Sequence, residues 1–236
     1  MAVEHDLQAS QVGVQRSLAA TLRSSLMSST PVTGPHVIRP LPFDPGSLRG
    51  LSERLLISHW ENNYGGAVRN LNTARTALAK LPKDAPVFTV GALRERELTF
   101  HNSTVLHELY FGNLGDVGAP RGEITDAIMT AFGSLQLWEE HFRQMGLSLA
   151  GGSGWVVLAY CTHTRALRLH WSGNHTQSLA GSLPLLVMDM YEHSYHLDYG
   201  AAAASYIDAF FQNIQWGEVN RRYQAAANFT MEMIFP

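Results

Sequence analysis

Gly112-Asn-Leu-Gly-Asp-Val-Gly-Ala-Pro-Arg-Gly122 divides the chain, with four glycines and a proline in eleven residues. Glycine opens left-handed backbone and proline removes an N–H, so neither a helix nor a strand runs through such a stretch. The periodicity differs on its two sides. Upstream, Leu55, Leu56, His59 and Trp60 share one helical face, and Val68, Leu71, Ala74, Leu78 and Leu81 continue the pattern. Ser52 is placed to cap this helix, and Gly65-Gly66 predicts a weakened or kinked turn within it. After a connection at Pro82–Pro86, a second helix is expected over about Glu97 to Phe111, with Val105, Leu106, Leu109 and Tyr110 among its apolar positions. Two long helices joined by a loop bury their stripes as an antiparallel hairpin.

Downstream, Glu123–Gly133 and Ser134–Leu149 read as helices, and Trp155–Thr162, Leu167–Ser172 and Leu183–Met188 as strands. Ala201–Asn213 and Trp216–Ala227 read as two closing helices. Helices, then strands, then helices define an α+β chain. The expectation is an N-terminal antiparallel helical hairpin over 41–113 and a C-terminal α/β domain over 120–236 with a small three-stranded antiparallel sheet. Residues 1–40 differ in composition: no acidic residue falls between Asp6 and Asp44, and Ser, Thr and Arg recur. They read as an N-terminal extension, expected to be mobile. A cytoplasmic location is expected, with targeting or export through this segment as the alternative.

Composition excludes several classes. With 45% hydrophobic residues the chain can bury real cores, and a net charge of −3 without a basic run gives nucleic acid no purchase. No apolar run approaches the ~20 residues of a membrane span. The single cysteine, Cys161, rules out an intramolecular disulfide and a cysteine-based metal cluster, and its strand-like setting makes it a buried thiol.

Histidine is the unusual count, at eleven. Asp189 and His193 stand four residues apart where the apolar run Leu183–Met188 leaves the core, which suits a carboxylate and an imidazole converging on one metal ion. His59 and His107 lie on apolar faces, one on each arm of the hairpin. Either histidine alone reads more readily as a hydrogen-bonded core residue. Together with Asp189 and His193 they make a His₃Asp set with room for bound solvent, which suits a redox-active iron or manganese ion better than a closed zinc site. Spacing alone leaves their convergence open.

From about Leu41 to Tyr223 the chain resembles the iron/manganese superoxide dismutases. Leu41-Pro-Phe resembles the family's opening Leu-Pro-Tyr, and Ser58-His59-Trp60 with Val68-Arg-Asn-Leu-Asn72 its first ligand helix. His107-Glu-Leu-Tyr110 is similar to the second. Phe132-Gly-Ser134 and Gly152-Ser-Gly-Trp155 match the approach to the sheet. Leu183-Pro-Leu-Leu186 and Asp189-x-x-Glu-His193 match the strand and signature, and Trp216-x-x-Val219-x-x-Arg222-Tyr223 the last helix. The resemblance implies metal ligands His59, His107, Asp189 and His193, and one Fe or Mn ion per subunit. The implied reaction disproportionates superoxide to O₂ and H₂O₂.

Around those ligands the sequence departs from the family. The funnel histidine and tyrosine fall on Asn63 and Ala67, which leaves Tyr64 as the candidate phenol. The signature tryptophan is Tyr191, and the aromatic that pairs across the dimer with the funnel histidine is His196, here facing Asn63. The outer-sphere glutamine falls on Ser103 on the helix or His175 on the sheet side, and a histidine there leans the metal toward iron. Glu192 keeps its place beside His193, where the resemblance implies a bond to the partner subunit's ligand histidine. The expectation is a homodimer or higher homo-oligomer with superoxide as substrate and with no nucleic-acid or membrane partner. The alternative is a related metalloprotein with altered redox activity, such as peroxide chemistry, or without rapid turnover. A non-catalytic relative has little reason to keep four ligands.

Overall fold

The computed structural model describes residues 34–115 and 118–229. The N-terminal extension expected over 1–40 lies outside the described residues as far as Thr33. From His36 side chains of the helices hold the lead-in. Asn72 accepts the His36 N–H at 2.8 Å and donates back to the His36 carbonyl at 2.9 Å. Glu108 Oε1 lies 2.9 Å from His36 Nε2. All elements below belong to the unit that begins at His36.

Ser52 caps helix α1 (Glu53–Ser58) by accepting the Leu55 N–H at 3.1 Å. The helix then widens into one π-helical stretch, His59–Tyr64, before α2 (Gly65–Ala79) resumes the α pitch. Gly65-Gly66 was expected to carry the irregularity, but it lies on the N-terminal side of that pair. Such widened turns cluster at functional sites, and this one opens at His59.

The second arm, α3 (Val87–Gly112), starts about ten residues earlier than its apolar pattern suggests. Pro86 stands at its N-cap, where a fixed φ and a missing N–H cost nothing. Its first turns expose Val87 and Phe88, so they carry no buried stripe for periodicity to detect. The buried stripe is Ser103, Thr104, His107, Tyr110 and Phe111. The helix packs on α2, which buries Val68, Leu71 and Ala74.

Beyond the glycine-rich segment come α4 (Glu123–Phe132) and α5 (Leu135–Leu147), then β1 (Trp155–Cys161), β2 (Ala166–Ser172) and β3 (Ser182–Asp189). The sheet order is β2-β1-β3 with both pairings antiparallel, so the expected three-stranded sheet forms. β1 is buried along its whole length. Pro184 sits on the edge strand β3, where its missing N–H is tolerated, beside a register shift at Leu158/Ala159. Helices α6 (His196–Tyr199), α7 (Ala203–Gln212) and α8 (Trp216–Ala227) close the chain. The single-turn α6 is too short to leave a periodic signal.

Asn113, at the end of α3, accepts the β3 Val187 N–H at 2.8 Å. Its carbonyl accepts the Gln215 N–H, and Gly115 N–H donates to the Asn213 carbonyl. The first of these bonds ties the helix that carries His107 to the strand that carries Asp189, and the other two tie its end to the connection between α7 and α8. Burying side chains such as Leu71, Phe142, Leu186 and Val187 contributes about 1.5–3 kcal/mol each to holding that arrangement. No helix among the described residues is long and apolar enough to cross a membrane.

Candidate metal centre

Asp189 is the last residue of β3 and pairs directly with Trp155, the first residue of β1. The corner depends on Gly154, whose φ of +147° and 2.3 Å approach of a notional Cβ to the Ser172 carbonyl leave no space for a side chain. The Gly154 carbonyl accepts the Met190 N–H at 2.9 Å, which turns the chain out of the sheet just after Asp189. A 3-10 turn, Glu192–Ser194, then brings His193 back over the carboxylate.

Four side chains from three parts of the chain meet here. Asp189 Oδ2 lies 3.1 Å from His59 Nε2, 3.6 Å from His107 Nε2 and 3.2 Å from His193 Nε2. The donor atoms all fall within 4.8 Å of one another. His59, His107 and Asp189 are buried, and the His193 side chain keeps about a quarter of its surface exposed.

Neighbours aim each donor. Asp189 Oδ1 accepts the Tyr191 N–H at 2.8 Å, so Oδ2 faces the imidazoles. The Asp189 carbonyl accepts from Ser194 Oγ at 2.9 Å and from the buried Tyr206 hydroxyl at 2.7 Å. His107 Nδ1–H donates to the Ser103 carbonyl at 2.6 Å, which fixes its tautomer and leaves the Nε2 lone pair directed inward. His59 packs among His107, His193, Tyr110 and Phe111, with ring centroids 4.8–5.2 Å away.

The electrostatics call for a cation. Burial pushes His59 below the ordinary imidazole range, and burial beside His59 takes His107 down to about 3. Both are therefore neutral near pH 7. Burial alone would raise the Asp189 carboxyl, but the charge and hydrogen bond of His193 and then the contacts of His59 outweigh it, holding it well below the usual carboxylate range. The result is an ionised carboxylate at zero exposure, held by His193 and His59. The inward Nε2 atoms of His59 and His107 have no hydrogen-bond partner. Orphaned lone pairs and the desolvation of a buried anion are both costly. A metal ion with donors at about 2.0–2.2 Å relieves both, and the carboxylate–imidazole separations of 3.1–3.6 Å match that span. The donor set fits a mononuclear first-row ion.

The structure also places the other candidate residues. His175, in the loop between β2 and β3, stands against the site. Its Nδ1 accepts the Trp155 Nε1–H at 3.0 Å, its ring stacks on Tyr191 at 4.6 Å, and its centroid is 6.4 Å from that of His107. Tyr191, the residue at the signature tryptophan position, thus forms one face of the His175 slot. Ser103 reaches His107 with its carbonyl, and its hydroxyl lies 3.4 Å from the same Nδ1.

Tyr64 is buried with its ring 6.4 Å from His107. Its hydroxyl donates to Glu108 Oε1 at 2.9 Å and accepts the Arg39 N–H at 2.9 Å. Burial, reinforced by the Glu108 charge, pushes this phenol up to about 12. Asn63 is half-buried, whereas Glu192 and His196 face solvent.

Three contributors left little trace in the sequence. Tyr206 and Ser194 hold the Asp189 backbone, and Asn102 donates to the His175 carbonyl at 2.7 Å. Ser194 adjoins His193 and so lay within reach of inspection. Tyr206, seventeen residues beyond Asp189, and Asn102 carry no spacing signal.

An α+β chain with a buried His₃Asp cluster defines a mononuclear metalloprotein, and the comparisons with known proteins narrow the class. Residues 120–222 match the family described as "Iron/manganese superoxide dismutases, C-terminal domain". "Superoxide dismutase [Fe]" of Cupriavidus metallidurans is 50% identical over 192 residues, 81% of this chain and 98% of that protein. "Superoxide dismutase [Mn] 1" of Halobacterium salinarum is 34% identical over 199 residues, 81% and 96% of the two chains. "Superoxide dismutase [Fe]" of Methanothermobacter thermautotrophicus is 33% identical over 197 residues, 78% and 92%. The chain belongs to the iron/manganese superoxide dismutase family.

Proposed function

We propose that this protein is a superoxide dismutase, with His59, His107, Asp189 and His193 as the ligands of one iron or manganese ion. The observation that carries the reading is the convergence of three imidazole Nε2 atoms on one oxygen of a fully buried carboxylate. When bound, the ion supplies one-electron chemistry: one superoxide gives up an electron and leaves as O₂, and a second gains it and, with two protons, leaves as H₂O₂. The 50% identity to a protein named for iron supports that metal here.

The chain's own residues bind, orient and shield. The Ser103 carbonyl and Tyr191 N–H hold His107 and Asp189 in ligating orientation. Tyr110, Phe111 and Trp155 form buried walls, which lower the local dielectric and strengthen every interaction with a small anion. Because Trp155 donates to Nδ1, a neutral His175 carries its proton on Nε2. His175 is the outer-sphere donor in this reading, holding that N–H for the site. Tyr64 serves indirectly, packing beside His107 while its hydroxyl anchors Glu108.

A homodimer completes the reading. Glu192, His196 and Leu197 are exposed beside the site within a single chain, and a second copy covering them lets Glu192 bond the partner's ligand histidine. Protection against superoxide in the cytoplasm is the role this activity serves.

The test is superoxide disappearance followed with protein loaded separately with iron and with manganese, alongside light scattering for mass. Rapid, metal-dependent loss is expected, from a dimer. Decay no faster than in buffer with either metal would overturn the reading in favour of altered redox chemistry.

A further inference from the structure

We infer that Asn102 is a positioning residue for His175, so that a single turn of α3 aims both His107 and the outer-sphere imidazole. The inference rests on the role proposed above for His175.

The loop that carries His175 is well bonded internally. Ser172 Oγ donates to the Asn174 and Gln177 carbonyls at 2.7 and 2.9 Å. Gln177 Oε1 accepts the Gly173 N–H at 2.6 Å, and Asn174 Oδ1 accepts from the N–H and hydroxyl of Thr176. Ser153 Oγ fastens the Gly173 carbonyl at 3.1 Å. These bonds set the shape of the loop and anchor it to the sheet side. None sets its distance from the helix that carries a ligand.

That distance is set by Asn102 Nδ2, which donates to the His175 carbonyl at 2.7 Å. Among the described residues it is the one hydrogen bond between this loop and α3. The adjacent residue, Ser103, gives its carbonyl to His107 Nδ1–H at 2.6 Å. Neighbouring residues on one helical turn therefore hold two rings whose centroids are 6.4 Å apart.

Packing beside the loop is incomplete. A cavity of about 110 Å³ lies beside it, lined by Asn102, Val105, Trp155, His170 and His175 among others. Interiors resist movement where they are full and yield beside a void. Without the amide, the loop has space to draw its imidazole away from Trp155 and the site.

The experiment compares Asn102→Leu, which keeps the shape and removes the donor, Asn102→Gln, which keeps a donor, and His175→Ala. The first readout is the Trp155 indole N–H resonance of the full-length protein loaded with zinc as a diamagnetic stand-in, assigned with Trp155→Phe. The second is kcat for superoxide with iron bound, with thermal melting as the check on folding. In Asn102→Leu the Trp155 signal is expected to move upfield toward its His175→Ala position. Its kcat should fall about tenfold, the lower end of the cost of losing an outer-shell partner. Asn102→Gln should recover most of both.

A Trp155 signal that stays put in Asn102→Leu while moving in His175→Ala overturns the positioning role and leaves the reading of His175 standing. A lowered melting temperature with an unmoved signal does the same. An unchanged kcat in His175→Ala instead refutes the outer-sphere role, and the Trp155 signal then decides by itself whether Asn102 positions the ring. If Asn102→Leu does not fold, Asn102→Ala is read in its place by the same criteria.

Discussion

Replacing Asp189 by asparagine separates the carboxylate's value to the fold from its value to the metal. Asparagine keeps the shape and an oxygen for the Tyr191 N–H, which Oδ1 now accepts at 2.8 Å. In place of Oδ2 it puts an NH₂, whose protons face the lone pairs of His59 and His107 now left without partners at 3.1 and 3.6 Å. In the metal-free wild type the carboxylate is ionised at zero exposure and stabilised there by His193 and His59. Removing one partner of such a buried set costs about 3–5 kcal/mol. At roughly 2–4 °C per kcal/mol for a chain of this size, metal-free Asp189→Asn should melt about 6–20 °C below metal-free wild type. Metal widens the gap. Manganese at about 1,000 times its Kd adds about 4.1 kcal/mol to wild type. A variant that binds a hundredfold more weakly gains only about 1.4 kcal/mol under the same conditions. The assay is thermal melting by circular dichroism with chelator and then with manganese. A metal-free Asp189→Asn protein that melts at or above metal-free wild type would refute the claim that the imidazoles already stabilise this carboxylate before a cation arrives.

Other expectations follow from the same geometry. His193→Ala should lose the bound metal and nearly all activity, checked by metal analysis after dialysis, because it removes one of four converging donors. Full occupancy would mean the ligands are wrongly assigned. Tyr206→Phe removes a buried hydroxyl that donates to the Asp189 carbonyl at 2.7 Å. It should cost about 1 kcal/mol in urea unfolding, and a change in metal affinity smaller than that of His193→Ala. Metal-free protein should lose stability as pH falls. Folded His107 titrates near 3 against 6.5 when unfolded, so the unfolded chain binds the extra proton between those values and stability drops across that window. The depressed Asp189 carboxyl acts in the same direction, its contribution disappearing as pH falls through its folded value. Melting of chelated protein from pH 7 to 3 checks this, and His107→Gln should flatten the slope.

What the sequence disclosed followed from how strongly each feature repeats. The strands were legible because β1 is buried on both faces and reads as the continuous apolar run Trp155-Val-Val-Leu-Ala-Tyr-Cys161. Ser52 announced α1 because capping is local chemistry. The first ten residues of α3 were missed because Val87 and Phe88 point to solvent and break the amphipathic rhythm. The π-helical stretch was misplaced onto the glycine pair because a widened turn comes from tertiary demands on His59, for which local propensity has no term. The four ligand candidates were found as residue types on apolar faces and by resemblance, since their convergence spans 130 residues from His59 to Asp189. Asn102 gave no signal at all, because a side-chain bond to a backbone carbonyl 73 positions away leaves no mark on its neighbours.

The pairing of Trp155 with Asp189 makes metal capture a proofreader of folding. Successive residues of a strand face opposite sides, so a slip of one position between β1 and β3 turns Asp189, and His193 with it, away from His59 and His107. A mispaired chain offers the ion the two imidazoles of the helical arms without the carboxylate that joins them. Loading with metal thus rewards the native register, and the yield of metallated protein after refolding counts the chains that found it.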